Sequence, residues 1–182
     1  MLNEKVICAG FGGQGVMLMG QLISYAGMIE GKEVSWLPSY GPEMRGGTAN
    51  CAVMVSDKPI GSPVITDNAT TAIIMNLPSL DKFEADVIGG GNLLINSSLI
   101  EKKASRDDLN VYYVPANEIA NDLGNLKTAN MVMLGAYLEL TKAVDIESVL
   151  SALKKTLGDA KAHLIDINRE AIKRGAEAVK AS

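Results

Sequence analysis

Apolar positions open the chain in a short run, Lys5-Val6-Ile7-Cys8-Ala9, rich in β-branched residues. A glycine cluster and a fourteen-residue stretch, VMLMGQLISYAGMI, that is apolar all round come next. The order reads as strand, tight turn and buried helix. EVSWL (33–37) reads as a second strand, so the first 37 residues predict a βαβ unit with a right-handed crossover. TANCAVMVS (48–56) predicts a strand closed by the turn Asp57-Lys58-Pro59-Ile60-Gly61. TAIIMN (71–76), NLLIN (92–96) and VYYVP (111–115) complete a sheet of about six strands.

Beyond residue 128 the period changes to that of helices. ANMVMLGAYLEL (129–140) is apolar on most faces and belongs in a core. Ile146, Val149, Leu150, Leu153 and Leu157 trace one stripe of an amphipathic helix with Asp145 as its N-cap. A last helix is expected from about 159 to 178. The expected architecture is a single α/β domain over residues 1–182, a three-layer Rossmann-like fold with a mostly parallel sheet and a helical C-terminal third.

Composition narrows the function. The net charge is −4 with only 4% aromatic residues, which supplies neither the basic stripe nor the stacking platforms of a nucleic-acid binder. Counting Gly in place of Tyr brings the apolar share to about 54%, above the usual ~45–50%; a deeply buried sheet or a partner-covered surface accounts for that. Val6 to Ile29 carries no charge, yet its six glycines argue against a membrane span or a signal sequence, so a cytoplasmic protein is expected. Cys8 and Cys51 are too few for an iron–sulfur cluster and lack zinc-site spacing, and they read as buried reduced thiols. The sole histidine, His163, reads as a solvated residue, and no catalytic or metal-ligating set stands out.

Two loops carry candidate chemistry. Gly10-Phe11-Gly12-Gly13-Gln14-Gly15 fits G-x-G-x-x-G between a strand and a helix, where backbone N–H groups and the helix dipole can hold phosphates. The acidic residue that a dinucleotide site places at the end of the second strand is missing; Pro38, Ser39 and Tyr40 stand there. Two readings remain: a phosphate site for another nucleotide such as coenzyme A, or glycines that simply let helix and strand pack closely. In PSYGPEMRGGTANC (38–51), Pro42 fixes φ and Gly41, Gly46 and Gly47 permit tight turns. This shapes a loop that presents Tyr40, Glu43 and Arg45 to a neighbouring subunit, or else closes a loop-internal Glu43–Arg45 pair.

The run SYGPEMRGGTANC, with GFGGQGV before it and IGSP, NLPSLDKFE, NSSLI, VPANEIA and NMVMLGAYLEL after it, closely resembles the gamma subunit of 2-oxoacid:ferredoxin oxidoreductases over nearly the whole chain. In detail it is most similar to the 2-oxoglutarate branch (2-oxoglutarate synthase), with pyruvate, branched-chain and indolepyruvate enzymes as sisters. The resemblance implies a heterooligomer with alpha, beta and ferredoxin-like delta subunits that converts a 2-oxoacid and coenzyme A to acyl-CoA and CO2 and reduces ferredoxin. Thiamine diphosphate, Mg and the iron–sulfur clusters are then expected on the partner subunits. This chain is expected to hold no cofactor tightly and to contact coenzyme A at a subunit interface, through Gly10, Gly12, Gly13, Gln14 and Gly15. The competing reading is a free-standing nucleotide-binding module or NAD-dependent reductase. A homodimer of the isolated chain is compatible with its apolar surface.

Overall fold

A computed structural model of the chain describes residues 1–40 and 47–180. Six strands form one sheet: β1 (Asn3–Phe11), β2 (Glu33–Tyr40), β3 (Thr48–Ser56), β4 (Ala69–Ile74), β5 (Val87–Asn96) and β6 (Asn110–Val114). The described helices are α1 (Val16–Ile29), α2 (Leu77–Phe83), α3 (Ala116–Asp122), α4 (Ala129–Thr141), α5 (Ile146–Leu157) and α6 (Ile165–Lys180). Every predicted strand is present, and the C-terminal third is helical as expected. His163 is exposed in a 3-10 turn, Asp159–Leu164, that precedes α6.

Strand order is β2-β3-β1-β4-β5-β6, with β1, β4, β5 and β6 mutually parallel. The βαβ unit expected at 1–37 is split. β2 does run parallel to β1, but β3 lies between them, antiparallel to both. The hairpin β2–β3 folds back so that Cys51 pairs in register with Cys8, and Pro38 stands on the edge strand, where its missing N–H is tolerated.

The two sheet faces are covered unequally. Val6, Cys8, Cys51, Val53 and Ile73 face a thick helical layer built from α1, α3, α4, α5 and α6. The opposite face, with Ile7, Ala9, Ile74, Leu93 and Ile95, is covered by Leu80 and Phe83 of α2 and by Ile65, Ile100 and Ala104 from connecting segments. The third layer therefore exists but is thin.

Helix α4 is central. All of residues 129–138 are buried, and the helix crosses α6 so closely that backbones touch. A Cβ added to Gly135 would lie 1.9 Å from the Ile172 carbonyl oxygen, and one added to Gly175 would lie 1.8 Å from that of Val132. Neither position has room for any side chain. Asp145 occupies the N-cap position of α5, but its carboxylate makes no cap bond. Its N–H instead donates to Glu30 Oε1 at 2.7 Å, while Lys32 Nζ bonds Glu30 Oε2 and the Ala143 carbonyl, tying the end of α1 to the start of α5.

Candidate functional site

Neighbouring parallel strands β1 and β4 send their connections to opposite faces: β1 leads into α1 in the thick layer and β4 into α2 in the thin one. Such a divergence opens a crevice at the carboxyl ends of the strands, the usual ligand position in open α/β sheets. Here it is a cavity of about 230 Å³, lined among others by Gly13, Gln14, Met75, Asn117, Lys127 and Asn130. The glycine turn forms one wall of it.

Local chemistry explains the shape of that turn. Gln14 staples the two strand ends, accepting from the Phe11 N–H at Oε1 (2.7 Å) and donating from Nε2 to the Met75 carbonyl (3.1 Å). Gly10 lies where a Cβ would stand 2.8 Å from Met75 Cβ and 2.5 Å from Gln14 Oε1, so it serves close packing. Gly15 begins α1 with φ of 76°, and a Cβ there would meet the Asn130 amide, which donates to the Gly15 carbonyl at 3.3 Å. The Gly12 N–H is committed to the Gly47 carbonyl at 3.0 Å. Gly13 differs from these. At φ 93° an added Cβ would meet nothing within 4 Å, and the residue lines the cavity.

The five residues singled out in the turn thus divide. Gly10, Gly12, Gly15 and Gln14 build the framework, and Gly13 is the one that offers backbone to the crevice. Helix α1 starts beside it with no capping side chain and no acidic residue in its first turn, so its positive end has no side-chain partner of opposite charge there. Lys127, exposed at the rim, adds a cation. Sequence reading missed Lys127, Asn117 and Asn130. Only Asn130 left a signal, as a polar residue opening an otherwise apolar helix.

Tyr40 ends β2 with 69% of its surface exposed, opposite Ala49. Glu43 and Arg45 lie outside the described residues. The connection they belong to returns at Gly47, against Gly12, so β2, β3 and the glycine turn share one end of the sheet.

Groups with perturbed acidity lie away from the crevice. Hydrogen bonding to Cys51 and burial push the Cys8 thiol well above its usual range. Burial raises Glu4, although the hydroxyls of Thr70 (2.5 Å) and Thr71 (2.6 Å) donate to its Oε1 and partly offset that. Burial, then the neighbouring Glu4 charge, drive Tyr137 well up. The two cysteines are buried free thiols, and no group of three or more His, Cys, Asp or Glu among the described residues could hold a metal. This donor set does not fit an iron–sulfur cluster. The crevice is lined by amides, a lysine and apolar side chains, with no nucleophile or general base among them.

The family model described as pyruvate ferredoxin/flavodoxin oxidoreductase matches residues 5–178, and the chain belongs to that family. It is 41% identical over 174 residues to the ketoisovalerate oxidoreductase subunit VorA of Methanothermobacter thermautotrophicus, covering 95% of this chain and 36% of that protein. The chain thus spans about a third of the length of that relative. It is 34% identical over 155 residues to the 2-oxoglutarate synthase subunit KorC of Methanocaldococcus jannaschii, covering 84% of this chain and 82% of that one. The crystal structure of a keto/oxoacid ferredoxin oxidoreductase gamma subunit from Geobacter sulfurreducens superposes with a TM-score of 0.82 at 30% identity, over 98% of this chain and 99% of that one. No helix among the described residues is long and apolar enough to cross a membrane.

Proposed function

We propose that the chain is the gamma subunit of a 2-oxoacid:ferredoxin oxidoreductase and lends geometry rather than reactive groups to the reaction. The observation that carries this reading is a crevice with a lysine but no catalytic side chain, next to an uncapped helix start, in a chain that resembles a gamma subunit over nearly its whole length. Oxidative decarboxylation of the 2-oxoacid then takes place on companion alpha and beta subunits, which would carry thiamine diphosphate and Mg. Iron–sulfur clusters there and on a ferredoxin-like delta subunit would pass electrons to ferredoxin.

Coenzyme A is the anion the crevice would receive at the subunit boundary. Its phosphates would meet the Gly13 backbone, the α1 N-terminus and Lys127. Tyr40, at the same end of the sheet, would face a companion subunit there, and Glu43 and Arg45 would join it, the planar Arg45 fork being suited to a carboxylate or phosphate. 2-Oxoglutarate is the proposed substrate, on the likeness to KorC across most of both chains. A branched-chain 2-oxoacid is the second reading, favoured by the 41% identity to VorA.

The test is the natively purified complex, assayed for ferredoxin reduction with each 2-oxoacid in turn. Turnover with 2-oxoglutarate above 2-oxoisovalerate is expected, and the reverse order selects the second reading. Lys127→Glu should raise the KM for coenzyme A about tenfold, roughly 1.4 kcal/mol, with little change in kcat. An unchanged KM in an assembled complex removes coenzyme A from this crevice.

A further inference from the structure

Helices α1 and α4 are both built from apolar residues on every side, and a helix of that kind belongs in a buried place. Residues 129–138 of α4 obey and are all buried. Helix α1 does not. It has no charged residue over its fourteen positions, yet Tyr25, Met28 and Ile29 are 46%, 61% and 47% exposed.

These side chains, with Gln21, form one wall of a groove of about 510 Å³ whose other wall is Ala152, Lys155 and Thr156 of α5. A furrow between two packed helices is the shape that a third helix fills by ridges-into-grooves packing. Lys155 lines the groove and is exposed there, a cation beside a largely apolar furrow.

We propose that the α1–α5 groove docks an amphipathic helix of a companion subunit, with large apolar side chains at i, i+3 or i+4, and i+7, and a carboxylate that meets Lys155. The proposal rests on the subunit reading above and names the surface that reading requires. A second copy of this chain is a poor occupant. Two-fold packing of groove against groove brings the uncharged α1 and the Lys154–Lys155 edge against themselves, so like charges meet.

The test places a photo-crosslinking amino acid at Met28 in the natively purified complex. The crosslink should fall on a helical segment of a co-purifying subunit, with an Asp or Glu within about one turn of it. Tyr25→Asp combined with Met28→Asp should lower the assembled fraction at least tenfold, with the thermal melt of the isolated chain unchanged. Lys155→Glu should lower it several-fold, and reversing the facing carboxylate to Lys in the partner should restore it. Full assembly of the Tyr25→Asp, Met28→Asp variant overturns the proposal while leaving the subunit reading intact. So does a crosslink confined to a second copy of this chain or to lipid. A wild-type chain that purifies with no companion overturns both.

Discussion

Two sets of glycines in this molecule do opposite work. At the α4–α6 crossing, Gly135 and Gly175 have helical backbone and no space, because each faces a carbonyl of the other helix. In the turn after β1, Gly13 has abundant space and a backbone that side chains rarely adopt, and Gly15 combines both constraints. The first set lets two helices fuse into one slab beneath the sheet. The second turns the chain from strand into helix along the wall of a crevice. A glycine therefore signals crowding in one region and curvature in the other, and only the surroundings tell which.

The largest effect that would break this contrast is Gly135→Ala or Gly175→Ala. Each should cost more than about 3 kcal/mol or prevent soluble expression, because the opposing atoms are backbone and cannot move aside. Urea unfolding measures it, and a loss below about 1 kcal/mol in either variant would mean the helices have room to separate. Next comes Gly15→Ala, expected to cost about 1–3 kcal/mol from left-handed strain and the Asn130 contact together. Gly13→Ala should cost only about 1–2 kcal/mol, since strain acts there alone. Asn130→Ala in the Gly15→Ala background should recover part of the loss but recover nothing in Gly13→Ala, a double-mutant comparison that separates crowding from curvature.

The smallest effect lies on the sheet side of the same α4. Glu4 is raised by burial, and its charge faces the buried Tyr137. A carboxyl whose folded-state pKa lies above the unfolded value contributes stability that is fully present below the unfolded value. That contribution is lost as pH rises through the folded one. Stability should therefore decline modestly as pH climbs past the ordinary carboxylate range. In Glu4→Gln this decline should flatten, and an unaltered pH profile would show that Glu4 ionises without penalty.

Much of the fold was legible because periodicity is local. The six strands, the buried α4 and the amphipathic α5 announced themselves by spacing. Two short helices did not. Asn76-Leu77-Pro78-Ser79 carries a helix start, and Asn76 does accept from the Ser79 N–H at 2.9 Å, but α2 is only seven residues long and has no room for a repeat. The insertion of β3 between β1 and β2 was illegible for a different reason. Strand order is set by which faces must be buried together, and alternation within TANCAVMVS gives its faces but not its neighbour.

At the site, the glycine turn was visible as a motif while its division of labour was not. That division depends on Met75, Asn130 and Gly47, residues 35 to 115 positions away from their partners in the turn. Lys127 sits in an unremarkable polar stretch, and nothing short of the folded chain brings it to the crevice.

The interposed β3 also dictates an order of events at the ribosome. β1 is made before both of its pairing partners, which end at Ser56 and Ile74, so it waits, unpaired, through the synthesis of a helix and two further strands. During that interval the uncharged stretch from Val6 to Ile29 is exposed, and a chaperone that shields it until Ile74 has cleared the exit tunnel would limit aggregation more than any later assistance.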